Sequence, residues 1–465
     1  MPRTRVGASL LIALLAGCTG ITPGGSGPTN CTALFAQLHQ ATQAHQDAQY
    51  WRLQDFPGLR SDRLLASLGA DAQTAEQRRL WARHLAARDA EASQVEIDQL
   101  APAQRRFWRD SARQQALGSC RTTQVRRLVE EPRAFARAIA AARVPDDYRA
   151  WPRLLGLNRL IKPVFRQGIA AWQRAAARAR APEDGPQWLS YAPLPQTGAT
   201  RALSLSTDAL GLPQTDADEL EALFARHAPH LRIAQGSRSD RIGSPYFAAD
   251  GARRFNTQQA RLYRHSGWSQ INGRWHLQLV YQLWFDRRPK PHALDLYGGE
   301  LDGLLWRVTL DARGNALLYD SIHPCGCWHS FYLPRNSPLR FRQPANEEAR
   351  LVRRLPLDGD QAPTLWLSAG THYLAWVDGR RSPYPALRYQ QVDLDQLRRL
   401  PHPNGRRSLY GRDGLVPGSQ RLERWLLWPS GVASPGAMRQ WGRHAIAFIG
   451  RAHFDDPHLL QRYFH

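Results

Sequence analysis

The chain has 465 residues, 43% hydrophobic and 22% charged, with Lys+Arg 62 against Asp+Glu 40 and a net charge of +22. That balance excludes a disordered or fibrous polymer, and the length exceeds what one hydrophobic core usually serves, so two or three domains are expected. Lys162 and Lys290 are the only lysines, so the charge is almost entirely arginine; it either reflects arginine-rich coding alone or serves attraction to lipid or nucleic-acid phosphates.

The chain opens with Arg3 and Arg5, then an apolar run from Val6 to Leu15 that is too short to span a bilayer permanently. Leu15-Ala16-Gly17-Cys18 follows. This segment resembles the lipobox of bacterial lipoproteins, and the chain as a whole resembles an outer-membrane lipoprotein. The resemblance implies a signal peptide over 1–17, cleavage before Cys18 and acylation of Cys18. Thr19 in place of Asp implies the outer membrane, with the protein facing the periplasm or the cell surface. The implied partner is the membrane itself, through the lipid; a protein anchored there rarely meets nucleic acid, and none is expected as a partner. Residues 18–30, rich in Gly, Pro, Ser and Thr, read as a flexible tether.

Residues 31–180 read as a helical domain. Thr74 to Gln77 fits a capping box, and apolar residues recur at helical spacing with little β-branching, as at Leu80, Trp81 and Leu85. Cys31 and Cys120 fall in this domain and are expected to pair in an oxidising compartment. Closing so long a loop contributes on the order of 4 kcal/mol. Residues 181–215 read as a Pro- and Gly-rich linker. Residues 216–465 read as β-rich after a short helix from Asp216 to His227. Arg274 to Phe285 alternates, with Trp275, Leu277, Leu279, Tyr281, Leu283 and Phe285 on one face, and Asn272-Gly273 predicts a hairpin with Gln258–Ser266. Leu304–Leu310 and Ala316–Ile322 form a second predicted hairpin; Thr364–Ser368 and Thr371–Val377 are two further strands. The predicted fold class is α+β and multidomain: an N-terminal helical bundle, then an antiparallel β-sandwich-like domain with extra helices.

The chemistry concentrates between His292 and His329. Asp295, Glu300 and Asp302 precede the second hairpin, which delivers His323-Pro-Cys325-Gly-Cys327-Trp-His329. His323, Cys325, Cys327 and His329 are all zinc or copper donors. An extended segment would spread His323 and His329 about 20 Å apart, too far to share an ion. Either Pro324 and Gly326 fold a tight loop, or other ligands complete the set. The candidate metal ligands are Glu300, Asp302, His323, His329 and His372, and the candidate cofactor is a divalent metal, zinc or calcium. Cys325 and Cys327 are equally candidates for a local disulfide, for buried thiols or for a redox pair. The acids Asp295, Glu300 and Asp302 can also simply face solvent or pair with Arg307.

The order Glu300-Leu301-Asp302, Ser321-Ile322-His323 and Gly370-Thr371-His372 resembles that of the necrosis-inducing secreted proteins and the vacuolar-sorting-type β-sandwiches. There an acidic-Trp-Glu element, a Ser-x-His and a Gly-Ser-His succeed one another. The resemblance spans about 80 residues and implies a β-sandwich whose acids and histidines hold a divalent cation. Here the acidic element is reversed, its tryptophan is missing, and Cys-Gly-Cys is foreign to the pattern. No G-x-S-x-G, H-E-x-x-H, G-K-[ST] or S-x-x-K occurs. The expected function is a lipid-anchored envelope protein that binds a ligand or an envelope partner through its β-rich part. The alternative is a divalent-metal-dependent hydrolase, with Glu300, Asp302, His323 and His372 as ligands and the metal acidifying a bound water.

Overall fold

A computed structural model describes residues 30–155, 157–195, 205–345 and 347–465. The signal segment, Cys18 and nearly all of the tether lie outside the described residues. Ten α-helices are described: α1 Cys31–Ala41, α2 Arg63–Leu68, α3 Ala75–Asp98, α4 Pro102–Arg109, α5 Ser111–Glu130, α6 Pro132–Ala141, α7 Ala150–Leu154, α8 Leu157–Arg178, α9 Ala217–Arg226 and α10 Arg424–Leu427. Among the described residues no helix is long and apolar enough to cross a membrane.

The helix starts follow their caps. Thr74 and Gln77 form the expected reciprocal box at α3, and Asp216 with Glu219 does the same at α9. Trp81 and Leu85 of α3, Leu128 of α5 and Phe135 of α6 share one core. Cys31 on α1 and Cys120 on α5 form the expected disulfide.

Thirteen strands make one sheet. They are β1 Trp188–Pro193, β2 His230–Ala234, β3 Ile242–Phe247, β4 Arg253–Asn256, β5 Arg261–Ile271, β6 Arg274–Arg288, β7 Gly299–Leu310, β8 Ala316–Ile322, β9 Ser330–Leu333, β10 Leu351–Arg354, β11 Thr364–Leu367, β12 Leu374–Asp378 and β13 Leu387–Asp393. The spatial order is β10-β9-β8-β7-β6-β5-β13-β1-β2-β11-β12, with β3 bridging β6 and β4.

The predicted hairpins are present. β5 and β6 turn on Asn272 and Gly273, both at positive φ (51° and 73°), the backbone that Asn-Gly adopts readily. The expected antiparallel sandwich is not what they build. The sheet is mixed, because β9–β10, β2–β11, β1–β13 and β5–β13 run parallel. β1 falls inside the stretch read as a linker and lies between β13 and β2.

Alternation on β6 sets two buried faces rather than one. Leu277, Leu279, Tyr281, Leu283 and Phe285 join the main core with Leu304, Trp306 and Val308 of β7 and Phe224 of α9. Val280 on the opposite face packs with Ile322, Phe331 and the C-terminal Phe454, Leu460 and Phe464. The irregular tail therefore covers the face that period-two reasoning leaves to solvent. Helices and sheet are tied by Arg398, whose Nη2 reaches Asp47 Oδ2 at 2.8 Å.

Candidate functional site

The site begins with register. On adjacent antiparallel strands Phe285 of β6 stands opposite Asp302 of β7, so the two side chains lie on one face. His372, in the turn between β11 and β12, stacks flat on the Phe285 ring at 3.8 Å and 7°. Its Nδ1 lies 2.9 Å from Asp302 Oδ2, and its Nε2 lies 3.3 Å from Asp240 Oδ1. In spatial order β7 and β11 are six strands apart, so this contact closes the curl of the sheet.

His323 follows β8 directly. Its Nδ1 is 3.3 Å from the other carboxylate oxygen of Asp302. Asp302 thus holds two imidazoles at once, and all four members of the chain Asp240–His372–Asp302–His323 are buried. Burial disfavours charge on every one, and their mutual hydrogen bonds decide who keeps it. For Asp302 and Asp240 the imidazole and backbone donors outweigh burial, and both carboxyls sit well below the usual range. For His372 the two carboxylates outweigh burial and raise its pKa. For His323 burial wins over Asp302 and lowers it. These shifts favour the charged form of His372, between two carboxylates, and the neutral form of His323 beside it. His323 Nε2 is left buried without a partner.

That nitrogen belongs to a residue lining a cavity of about 490 Å³. Cys325 and Cys327 line it too, because residues 323–327 form a tight turn. Gly326 N donates to His323 O at 2.8 Å and His323 N to Cys327 O at 3.0 Å. Gly326 takes φ +91°, and a Cβ there would meet Ala445 O at 2.2 Å, so only glycine fits. Both thiols are free, and the local disulfide weighed from the sequence is not formed. A hydrogen bond with Cys325, reinforced by burial, pushes the Cys327 thiol well above its ordinary value.

The candidate metal ligands do not converge. Glu300 points outward, its side chain 67% exposed and paired with Arg253. His329 lines the cavity but binds Asp320 through Nε2 at 2.9 Å, inside the buried pair that Asp320 makes with Arg307 across β7 and β8. Asp295 caps its own turn through Tyr297 N. Asp302, His323 and His372 do meet, but as hydrogen-bond partners of one another. Among the described residues no group of three or more His, Cys, Asp or Glu is placed to hold a metal ion.

Sequence reasoning missed the cations that dominate this cavity. Arg288, at the end of β6, donates to Tyr373 Oη at 3.1 Å and lies over the Tyr297 and Tyr373 rings. Arg421 is 3% exposed; its Nη2 donates to Leu301 O, while Nη1 is buried without a partner. Among the described residues neither guanidinium has a carboxylate within ion-pair distance. Glu423 also lines the cavity; burial, with Asp302 and Asp295 adding to it against Arg421 and Arg288, pushes its carboxyl up to about 7. The rest of the wall holds one more carboxylate, Glu348, paired with Arg350 at 3.1 Å, and is otherwise mostly apolar, with Ile169 and Trp172 of α8, Trp328, Leu427 and Met438. No motif or period connects Arg288, Arg421 and Glu423, and only the fold brings them together. No family model matches the chain, and no curated protein or solved structure matches it.

Proposed function

We propose that this is a lipid-anchored protein of the bacterial cell envelope that holds, in the Arg288–Arg421 cavity, a ligand with an anionic head and an apolar body. The supporting observation is Arg421: a buried guanidinium with one nitrogen unpartnered, beside a second arginine that also lacks a carboxylate. Burying a guanidinium nitrogen without a hydrogen-bond acceptor is costly, and a bound anion removes the cost. The apolar wall suits the rest of such a ligand, and the free Nε2 of His323 accepts a hydrogen bond from it. The anchor is supported by Leu-Ala-Gly-Cys18 and is read separately from the mass of the mature N-terminus. Metal-dependent hydrolysis finds less support, because both oxygens of Asp302 are occupied by imidazoles.

Calorimetric titration with dodecyl phosphate below its micelle concentration tests the ligand class. The parent chain is expected to bind one equivalent, and uncharged dodecanol to bind far more weakly. Arg421→Met should weaken dodecyl phosphate by about tenfold or more, the worth of one charge-assisted hydrogen bond. Absence of binding, or equal affinity in the variant, would overturn the reading.

A further inference from the structure

Beside the cavity lies an apolar surface that is exposed among the described residues. Leu154 is 81% exposed and Trp425 is 67% exposed, and Trp151, Leu155 and Leu426 are exposed with them. The patch is continuous: Trp151 of α7 stacks on Trp428, just past α10, at 5.7 Å, and Leu426 lines the cavity itself. Glu423 N donates to Leu296 O, which holds the loop bearing exposed Leu294 and Tyr297 against the same edge. Large apolar side chains gathered in this way mark a surface that another phase or molecule covers.

The charge around the patch is mainly basic, with Asp295 in the loop and Glu423 before α10 as its acids. From Arg149 to Pro182 the sequence holds eight basic residues and no acid. Arg424 lies over the Trp425 ring at 4.8 Å, and Arg153 donates only to the backbone carbonyls of Ser430 and Gly450. A second copy of the chain, meeting this patch with its own, would set arginines against arginines. Tryptophan and leucine flanked by a majority of basic residues fit the region where lipid headgroups meet acyl chains, and lipid phosphates match the excess positive charge.

From this arrangement we propose that the face formed by α7, α10 and the Leu294–Tyr297 loop docks onto an anionic bilayer, which turns the cavity mouth toward the lipid. The contact is separate from any N-terminal acyl chain and independent of what the cavity holds.

The test is co-flotation of the full chain carrying Cys18→Ser, so that no lipid can be attached, with vesicles of phosphatidylethanolamine and phosphatidylglycerol in equal parts. The N-terminal segment is common to all variants, so differences between them report the patch. The parent should float with these vesicles and much less with phosphatidylcholine alone. Trp151→Ser, Leu154→Ser, Trp425→Ser and Leu426→Ser combined should weaken binding at least about tenfold. Arg149→Glu with Arg424→Glu should weaken it and flatten its salt dependence, whereas Tyr384→Ser with Leu387→Ser, exposed elsewhere, should change nothing. All substituted residues are at the surface, and unchanged melting checks that the fold is kept. The proposal fails if the quadruple variant floats as the parent does, or if the parent floats with neither vesicle. It fails equally if the parent is a dimer that the quadruple variant converts to monomer, which would assign the patch to a second copy.

Discussion

Asp302→Asn removes the one charge that both His323 and His372 lean on while keeping nearly the same shape. Asp302 is 2% exposed and accepts at 2.9 Å and 3.3 Å. Breaking a buried ionic pair by neutralising one partner costs about 3–5 kcal/mol. With an unfolding entropy of about 2.1 cal/mol/K per residue over roughly 430 folded residues, that corresponds to a fall of about 3–5 °C in Tm. The pH dependence follows from the direction of each shift. The Asp302 carboxyl is held below its ordinary value, so its contribution is complete above about pH 4 and is lost as pH falls through the lower folded value. His372 is raised, so its contribution is complete below about pH 6.5 and is lost as pH rises through the higher folded value. The deficit of the variant should therefore be largest near pH 5–6 and narrow on both sides. Scanning calorimetry across pH measures it. A Tm shift below about 1 °C, or one that is flat with pH, would refute the assignment of charge within the chain of four.

Burial pushes the Glu423 carboxyl up to about 7, so dodecyl sulfate, whose single charge does not change over this range, should bind more tightly at pH 6 than at pH 8, and Glu423→Gln should abolish that difference in a calorimetric titration below the micelle concentration. Gly326→Ala should destabilise by at least about 1–3 kcal/mol, because it combines a positive-φ backbone with the clash at Ala445 O; an unchanged Tm would contradict the turn geometry. Thiol titration of the unfolded, unreduced Cys18→Ser chain should find two reactive thiols, Cys325 and Cys327, both slow to alkylate in the native protein. Reducing the Cys31–Cys120 bridge, which closes 89 residues of chain, should cost on the order of 4 kcal/mol, read as a lower Tm in reductant.

Local signals were legible where one physical cause dominates. The Asn272-Gly273 turn, the capping box at Thr74 and the cysteine pairing each depend on a few neighbouring residues. The folded loop at 323–327 was one of two alternatives that Pro324 and Gly326 left open, and it is the one that forms. The sheet as a whole was not legible. β13 and β1 enter it through parallel pairings between segments about two hundred residues apart, and nothing local in Trp188–Pro193 separates a central strand from an extended linker. The same non-locality governs the site. Asp302, His323 and His372 were expected together, and they meet, but as a hydrogen-bonded chain whose fourth member, Asp240, comes from a short capped 3-10 turn at Ser237–Asp240 that nothing in the sequence ties to the site. Glu300, two residues from Asp302, is exposed rather than buried, with Leu301 between them at φ 54°, where regular strand alternation is broken. Arg288 and Arg421 were invisible among so many arginines, because what sets them apart is their place together on one cavity wall, a property of the folded state alone.

The most direct measurement is a crystal structure of the protein with dodecyl phosphate. The expected result places the phosphate within about 3 Å of the guanidinium nitrogens of Arg421 and Arg288, with the alkyl chain running along Trp172, Leu427 and Met438. A phosphate bound elsewhere, with Arg421 Nη1 still unpartnered, would contradict it.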